Sequence, residues 1–151
     1  MDHHSAIVRA SGNEYLVKFL TEDHHGLIDL CRRQSLVAPP KFDEIRVVFT
    51  PLHGVGHTSA GEVLKARGLT VHPVLAQYDP DGGRFSTVAS ANPELPVSMA
   101  MGVTLAEAVG AQLVLATDPD ADRLGATARG RDGAMVAIDG NRLGVLMLDH
   151  I

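Results

Sequence analysis

Three short apolar runs, at residues 45–49, 69–76 and 113–116, alternate with stretches whose apolar residues recur at helical spacing. That alternation restricts the chain to strands joined by helical crossovers. Ile45-Arg46-Val47-Val48-Phe49 has the length and composition of a strand. It runs into a glycine-bearing loop, Thr50-Pro51-Leu52-His53-Gly54-Val55-Gly56-His57-Thr58, and then into a helix over 59–67 that Gly68 stops. Residues 69–76 supply a second strand, 77–96 are turn-rich, and 98–109 form a helix ended by Gly110. After the strand at 113–116, residues 124–128 and 134–138 read as two strands joined by Gly130-Arg131-Asp132-Gly133, a hairpin connection. Upstream, residues 14–35 carry Leu16, Phe19, Leu20, Leu27, Ile28, Leu30 and Cys31 at mostly helical spacing, one or two helices with a break near Gly26. Downstream, residues 140–151 carry Leu143, Leu146, Met147 and His150 at the same spacing. The expected fold is α/β, a three-layer α/β/α sandwich with a mostly parallel sheet and a C-terminal β-hairpin.

Composition narrows the function classes. With 151 residues, 45% hydrophobic and 21% charged, the chain can bury the core of one domain. A formal net charge of −5 and the absence of Trp argue against a nucleic-acid partner, which needs clustered Lys and Arg with aromatics between them. No apolar run reaches membrane-spanning length, so no membrane partner is expected. The single Cys31 excludes an internal disulfide framework and suits a reducing compartment, and Met1-Asp2-His3-His4 lacks a signal-peptide pattern. The expected location is the cytoplasm. Cys31, on an apolar helical face, reads as core.

Chemistry concentrates where the 113–116 strand meets Thr117-Asp118-Pro119-Asp120-Ala121-Asp122-Arg123-Leu124-Gly125. Ligands gather at the carboxyl ends of strands in open α/β sheets, and a tight loop there projects Asp118, Asp120 and Asp122 toward one point. Carboxylates so placed repel each other unless a cation lies between them. Oxygen-only ligands suit a hard ion, and Mg²⁺ is the first choice because it takes a few carboxylates and keeps sites for water and phosphate. Arg123 can pair with a phosphate at the same ion or hold the loop closed. The plain structural alternative is an exposed acidic turn with Arg123 as a surface ion pair. Two other acidic motifs fail on the residues: an EF-hand would need Gly in place of Arg123 and Glu in place of Arg129, and an aspartyl phosphatase would need a downstream Lys, of which none follows Arg123.

His53 supports two readings. Beside two glycines after a strand it can touch a phosphate or act as acid or base, or Gly54 and Gly56 can make a tight turn while His53 bonds neighbouring backbone. The glycines also suggest backbone amides cradling a phosphate. His3-His4 and His24-His25 lack the partners and spacing of a zinc site. Asp79, Asp81, Gly82 and Gly83 read as a turn.

Taken in order, these segments resemble the second domain of the α-D-phosphohexomutases, the phosphoglucomutase and phosphomannomutase superfamily. Thr50 to Gly56 is similar to its His-Gly-x-Gly loop. Phe85-Ser86-Thr87-Val88-Ala89-Ser90-Ala91-Asn92-Pro93-Glu94 resembles its Phe-Pro-Thr-Val…Pro-Asn-Pro-Glu segment. Asp118 to Arg123 resembles the metal loop, in the Asp-Pro-Asp-Ala-Asp-Arg form of one branch. The resemblance spans residues 45–129, and Ile138-Asp139-Gly140-Asn141-Arg142-Leu143-Gly144 is similar to the start of the third domain. It implies residues 1–137 as the second domain, with 1–40 a helical lead-in, and 138–151 as the start of the next.

The resemblance also implies a function. Such enzymes have four domains and move a phosphoryl group between the 1- and 6-positions of a hexose through a phosphoserine and a bisphosphorylated intermediate. It implies Mg²⁺ on Asp118, Asp120 and Asp122, a phosphate contact for Arg123, a hexose phosphate substrate, and the other domains of the same chain as partners. The phosphoserine, sugar-recognition and phosphate-binding loops belong to those other domains, so the chain alone is expected to be inactive. Val88-Ala89-Ser90-Ala91-Asn92-Pro93 superficially resembles the phosphoserine loop, but it follows the His-Gly-x-Gly loop instead of preceding it and lacks the Thr and His of that loop. Ser90 therefore reads as a loop serine. The rival expectation is a free-standing divalent-metal-binding or interaction module with the same fold and no catalysis.

Overall fold

The computed structural model describes residues 44–150, and the sheet and the site discussed below lie within the compact unit Pro40–Val145. The expected helices at 14–35, Cys31 and the four upstream histidines lie outside the described residues. Five strands form one sheet in the order β2-β1-β3-β4-β5: β1 Arg46–Thr50, β2 Thr70–Pro73, β3 Leu113–Thr117, β4 Leu124–Arg129 and β5 Met135–Ile138. The described residues also form three α-helices, α1 Ala60–Ala66, α2 Pro96–Val109 and α3 Gly140–His150.

The α/β fold is as expected, but the sheet is mixed instead of mostly parallel. β1 pairs in parallel with β2 and with β3, whereas β3–β4 and β4–β5 are antiparallel. Loop length is the reason. A parallel return needs a crossover of a dozen or more residues, and only residues 118–123 separate β3 from β4. The chain must fold straight back beside itself.

Local chemistry accounts for where the elements end. β2 is shorter than the expected 69–76 because Pro73 has no N–H for the ladder, and Leu75–Gln77 winds into a 3₁₀ turn. α2 begins two residues before the expected start, with Pro96 in its first turn, where a proline's fixed φ is already helical. Gly110 ends it in the left-handed conformation at φ 65°. Gly130 N–H donates to Ala134 O and closes the β4–β5 hairpin as expected.

Successive strand residues face opposite ways, and this sorts the layers. A Cβ on Gly61 of α1 would stand 3.5 Å from Phe49, while one on Gly102 of α2 would stand 2.7 Å from Val114 and 3.8 Å from Val48. Phe49 and Val48 point to opposite faces, so α1 and α2 cover opposite sides of the sheet. The α2 side holds the buried cluster of Val48, Leu52, Val74, Met99, Ala106, Ala111, Val114 and Ala116. Since β1 has parallel neighbours on both sides, one connection leaves on each face. The ends of β1 and β3 border the crevice where open α/β sheets place ligands. Among the described residues no helix is long and apolar enough to cross a membrane.

Candidate metal centre

The loop after β3 is a tight reversal, because Thr117 lies opposite Leu124 in the β3–β4 ladder. Ala121 N–H donates to Asp118 O at 3.1 Å, and Ala121 itself is left-handed at φ 63°. That geometry brings one carboxylate oxygen from each of Asp118, Asp120 and Asp122 within 4.8 Å of one another. Asp118 is fully buried, whereas Asp120 and Asp122 are exposed.

Arg123 binds the loop from within. Its backbone N–H donates to Asp118 Oδ1 at 3.0 Å and its Nε–H to Asp118 Oδ2 at 2.6 Å, while Nε lies 3.7 Å from Asp122 Oδ1. Of the two roles the sequence allows, this contact holds the loop closed. The side chain remains 58% exposed, and the pair is charge-assisted at its buried end.

Burial works to raise the Asp118 carboxyl, but the Arg123 backbone N–H, the Arg123 guanidinium and a hydrogen bond with Asp122 outweigh it. Together they hold Asp118 below the ordinary carboxylate range. Asp122 is pushed upward, first by that hydrogen bond to Asp118 and then by the charges of Asp120 and Asp118. A carboxyl held low in the folded state adds stability that is fully present above its ordinary value of 3.8 and is lost as pH falls through the lower folded value. Wild-type protein should therefore lose more thermal stability than Asp118→Asn between about pH 5 and pH 2. Melting curves across that range check it, and equal acid slopes would show that Asp118 is not paired in the folded chain.

The glycine loop after β1 packs against this acidic loop. Leu52 and His53 both adopt positive φ, 45° and 67°, turning the chain back so that Val55 N–H donates to Pro119 O at 3.0 Å. A Cβ on Gly54 would overlap the Pro119 backbone, one on Gly56 would overlap Thr117 Oγ1, and one on Gly125 would overlap Pro93 O. Three distant segments, 51–56, 92–94 and 117–125, thus close onto one end of the sheet. The Gly54 amide is taken by Pro51 O within its own loop and the Val55 amide by Pro119 O of the acidic loop, so neither is left to cradle a phosphate.

His53 lies outside the carboxylate cluster. It is 3% exposed, with Nδ1 2.7 Å from Asp79 O and Nε2 2.7 Å from Thr87 Oγ1. The second sequence reading had His53 bonding neighbouring backbone; Nδ1 does bond backbone, but that of Asp79, 26 positions away, and Nε2 bonds a side chain. Ser90 accepts the Asn92 N–H on its Oγ at 3.3 Å, while its carbonyl accepts the Ser98 hydroxyl at 2.6 Å, a turn arrangement. Asp79 and Asp81 sit in the turn expected of them; hydrogen bonds from Ser86 and then Arg84 lower the Asp81 carboxyl to about 2. Sequence reasoning missed Gln77, which is fully buried and bonds both Thr50 and Thr87. No local pattern marks it, because its partner Thr50 stands 27 positions away.

Comparison with known proteins bears on the same segments. Residues 27–131 match the family described as phosphoglucomutase/phosphomannomutase, alpha/beta/alpha domain II. A phosphoglucomutase of Staphylococcus epidermidis is 37% identical over 118 residues, covering 78% of this chain and 21% of that protein. One from Staphylococcus aureus is 42% identical over 112 residues, 74% of this chain and 20% of the relative. Another, from Staphylococcus saprophyticus, is 31% identical over 144 residues, 95% and 25% respectively. The chain spans between a fifth and a quarter of the length of these curated relatives. With its α/β/α layering, and with the glycine loop, the Asn92-Pro93-Glu94 turn and the acidic loop closing on one sheet end, the chain belongs to the phosphoglucomutase/phosphomannomutase family and carries its domain II.

Proposed function

We propose that the chain is the Mg²⁺-binding domain of a phosphoglucomutase- or phosphomannomutase-type enzyme that moves a phosphoryl group between the 1- and 6-positions of a hexose phosphate. The phosphoserine carrier stands on another domain, and the chain alone does not turn over. The second domain runs to Ala137, residues 138–151 open the third, and the enzyme works in the cytoplasm. The observation that carries the reading is the convergence of Asp118, Asp120 and Asp122 at the end of β3.

The donor set fits such an ion. Three oxygens within 4.8 Å of one another leave a point within about 2.8 Å of each, and modest closure reaches the roughly 2.1 Å that Mg²⁺ prefers. Exposed Asp120 is free to make that closure and exposed Asp122 makes it by giving up its hydrogen bond to Asp118, while buried Asp118 stays fixed by Arg123. Bound there, Mg²⁺ would supply cationic stabilisation to the oxygens of a phosphoryl group in transit. Arg123 contributes from the chain itself: Nε is committed to Asp118, and its half-exposed guanidinium still presents donors to a phosphate oxygen.

Calorimetric titration of Mg²⁺ into the chain and into Asp120→Ala tests the reading. Binding should be weak, because the ligand offered by the phosphoserine belongs to another domain, and it should vanish in the variant. Equal heats would remove the metal assignment. Since Asp122 is held above 3.8, affinity should also climb as pH rises through its raised value.

A further inference from the structure

We infer that His53 is a positioning residue that sets Pro119, and with it Asp118 and Asp120, through a proton-ordered chain of hydrogen bonds closed by Thr87. The inference rests on the Mg²⁺ reading above. Asp79 O can only accept, so His53 Nδ1, 2.7 Å away, carries the ring proton. In the neutral ring Nε2 then accepts, and the Thr87 hydroxyl 2.7 Å away must donate. With its proton so used, Thr87 Oγ1 accepts from Gln77 Nε2 at 3.1 Å. Gln77 Oε1 accepts the Thr50 hydroxyl at 2.6 Å, and Thr50 Oγ1 accepts Leu52 N–H at 3.1 Å.

Every proton in this chain has one consistent place. Turning the Gln77 amide around would put its NH₂ against Thr50 and draw the Thr87 proton to the amide oxygen. His53 Nε2 would then face no donor. The direction is therefore set by the one carbonyl at its end.

The network acts where the backbone is strained. Leu52 and His53 are consecutive non-glycine residues at positive φ, a conformation that persists only where surroundings enforce it. Leu52 N–H is held by Thr50, His53 N–H by Gln77 O at 2.8 Å, and the His53 ring by Asp79 and Thr87. The next two residues both meet Pro119 of the acidic loop, Gly54 against its backbone and Val55 bonded to its carbonyl oxygen. Pro119 lies between two of the three carboxylates. His53 thus acts on the metal loop through backbone placement, with both ring nitrogens occupied and neither left for acid–base work.

Thr87 offers the cleanest test because it is exposed while Thr50, His53 and Gln77 are buried, so the chain tolerates change there. In ¹H–¹⁵N spectra of the full chain, His53 should show a protonated Nδ1 and an unprotonated Nε2. Thr87→Val removes the donor and keeps the branched shape. It should leave Nδ1 protonated, shift the Nε2 resonance as its hydrogen bond is lost, and weaken Mg²⁺ binding about fivefold to tenfold, the scale of one lost hydrogen bond, with the fold retained by melting curve. Thr87→Ser should restore both. An Nε2-protonated ring, a Thr87→Val variant with unchanged Mg²⁺ affinity while Asp120→Ala loses it, or a failed rescue by serine would each overturn the inference and leave the metal centre standing. No Mg²⁺ binding by wild type would overturn both.

Discussion

Gly54→Ala should lower the melting temperature by roughly 10 °C or more and abolish detectable Mg²⁺ binding. Gly54 is not among the glycines at positive φ, so the effect is spatial. The added methyl would occupy the Pro119 Cα, carbonyl carbon and oxygen, all main-chain atoms with no rotamer to yield. Overpacking costs about 1–3 kcal/mol where side chains can shift, and a backbone obstacle belongs at or beyond the upper end of that range. Relief requires moving either the 51–56 loop, which is held by the Thr50–Gln77–His53 bonds, or Pro119, which carries Asp118 and Asp120 with it. Stability and metal binding should therefore fall together. Thermal unfolding and Mg²⁺ calorimetry on the same preparation check it, and an unaltered titration would show that the two loops are not coupled.

Phe49→Ala should destabilise the chain by about 3–5 kcal/mol without touching any carboxylate. Phe49 is fully buried on the α1 side of β1, lies edge-on to Tyr78 with ring centroids 6.4 Å apart, and faces Gly61 of α1. Gly61 has no side chain to fill the space left behind, so the cavity would persist and the lost packing would not be recovered. Denaturant unfolding at fixed pH measures the loss. A cost below about 1 kcal/mol would mean that α1 slides onto the sheet to fill the gap.

The contrast between the two substitutions separates core from site. Phe49 lies one residue before Thr50 and four before His53, yet its side chain supports the layer beneath α1, while the loop that follows β1 steers the acidic reversal. Loss of Phe49 weakens everything in proportion, whereas a methyl on Gly54 displaces one loop.

Much of the architecture was legible because it is written in local periods. Val47-Val48-Phe49 and Leu113-Val114-Leu115 are apolar runs of strand length, Gly110 stops α2 where a left-handed residue is needed, and Gly130-Arg131-Asp132-Gly133 turns the hairpin. The acidic loop was legible for the same reason, its three carboxylates lying at alternate positions of one short segment. The mixed direction of the sheet was not read, although the short span 118–123 between β3 and β4 implies it, because apolar runs carry no direction. Gln77 was not read at all, since a buried amide is specified by partners 10 and 27 positions away and by no pattern around it.

The sequence by itself determined the order of strands and helices and the clustering of Asp118, Asp120 and Asp122, since both follow from side chains a few positions apart. Only the tertiary structure decided what His53, Gly54 and Arg123 do. Arg123 turns inward onto Asp118, His53 is spent on Asp79 and Thr87, and Gly54 yields its space to Pro119. Each of those outcomes depends on which atoms face a residue once the sheet has assembled, and for His53 and Gly54 those atoms come from segments far along the chain.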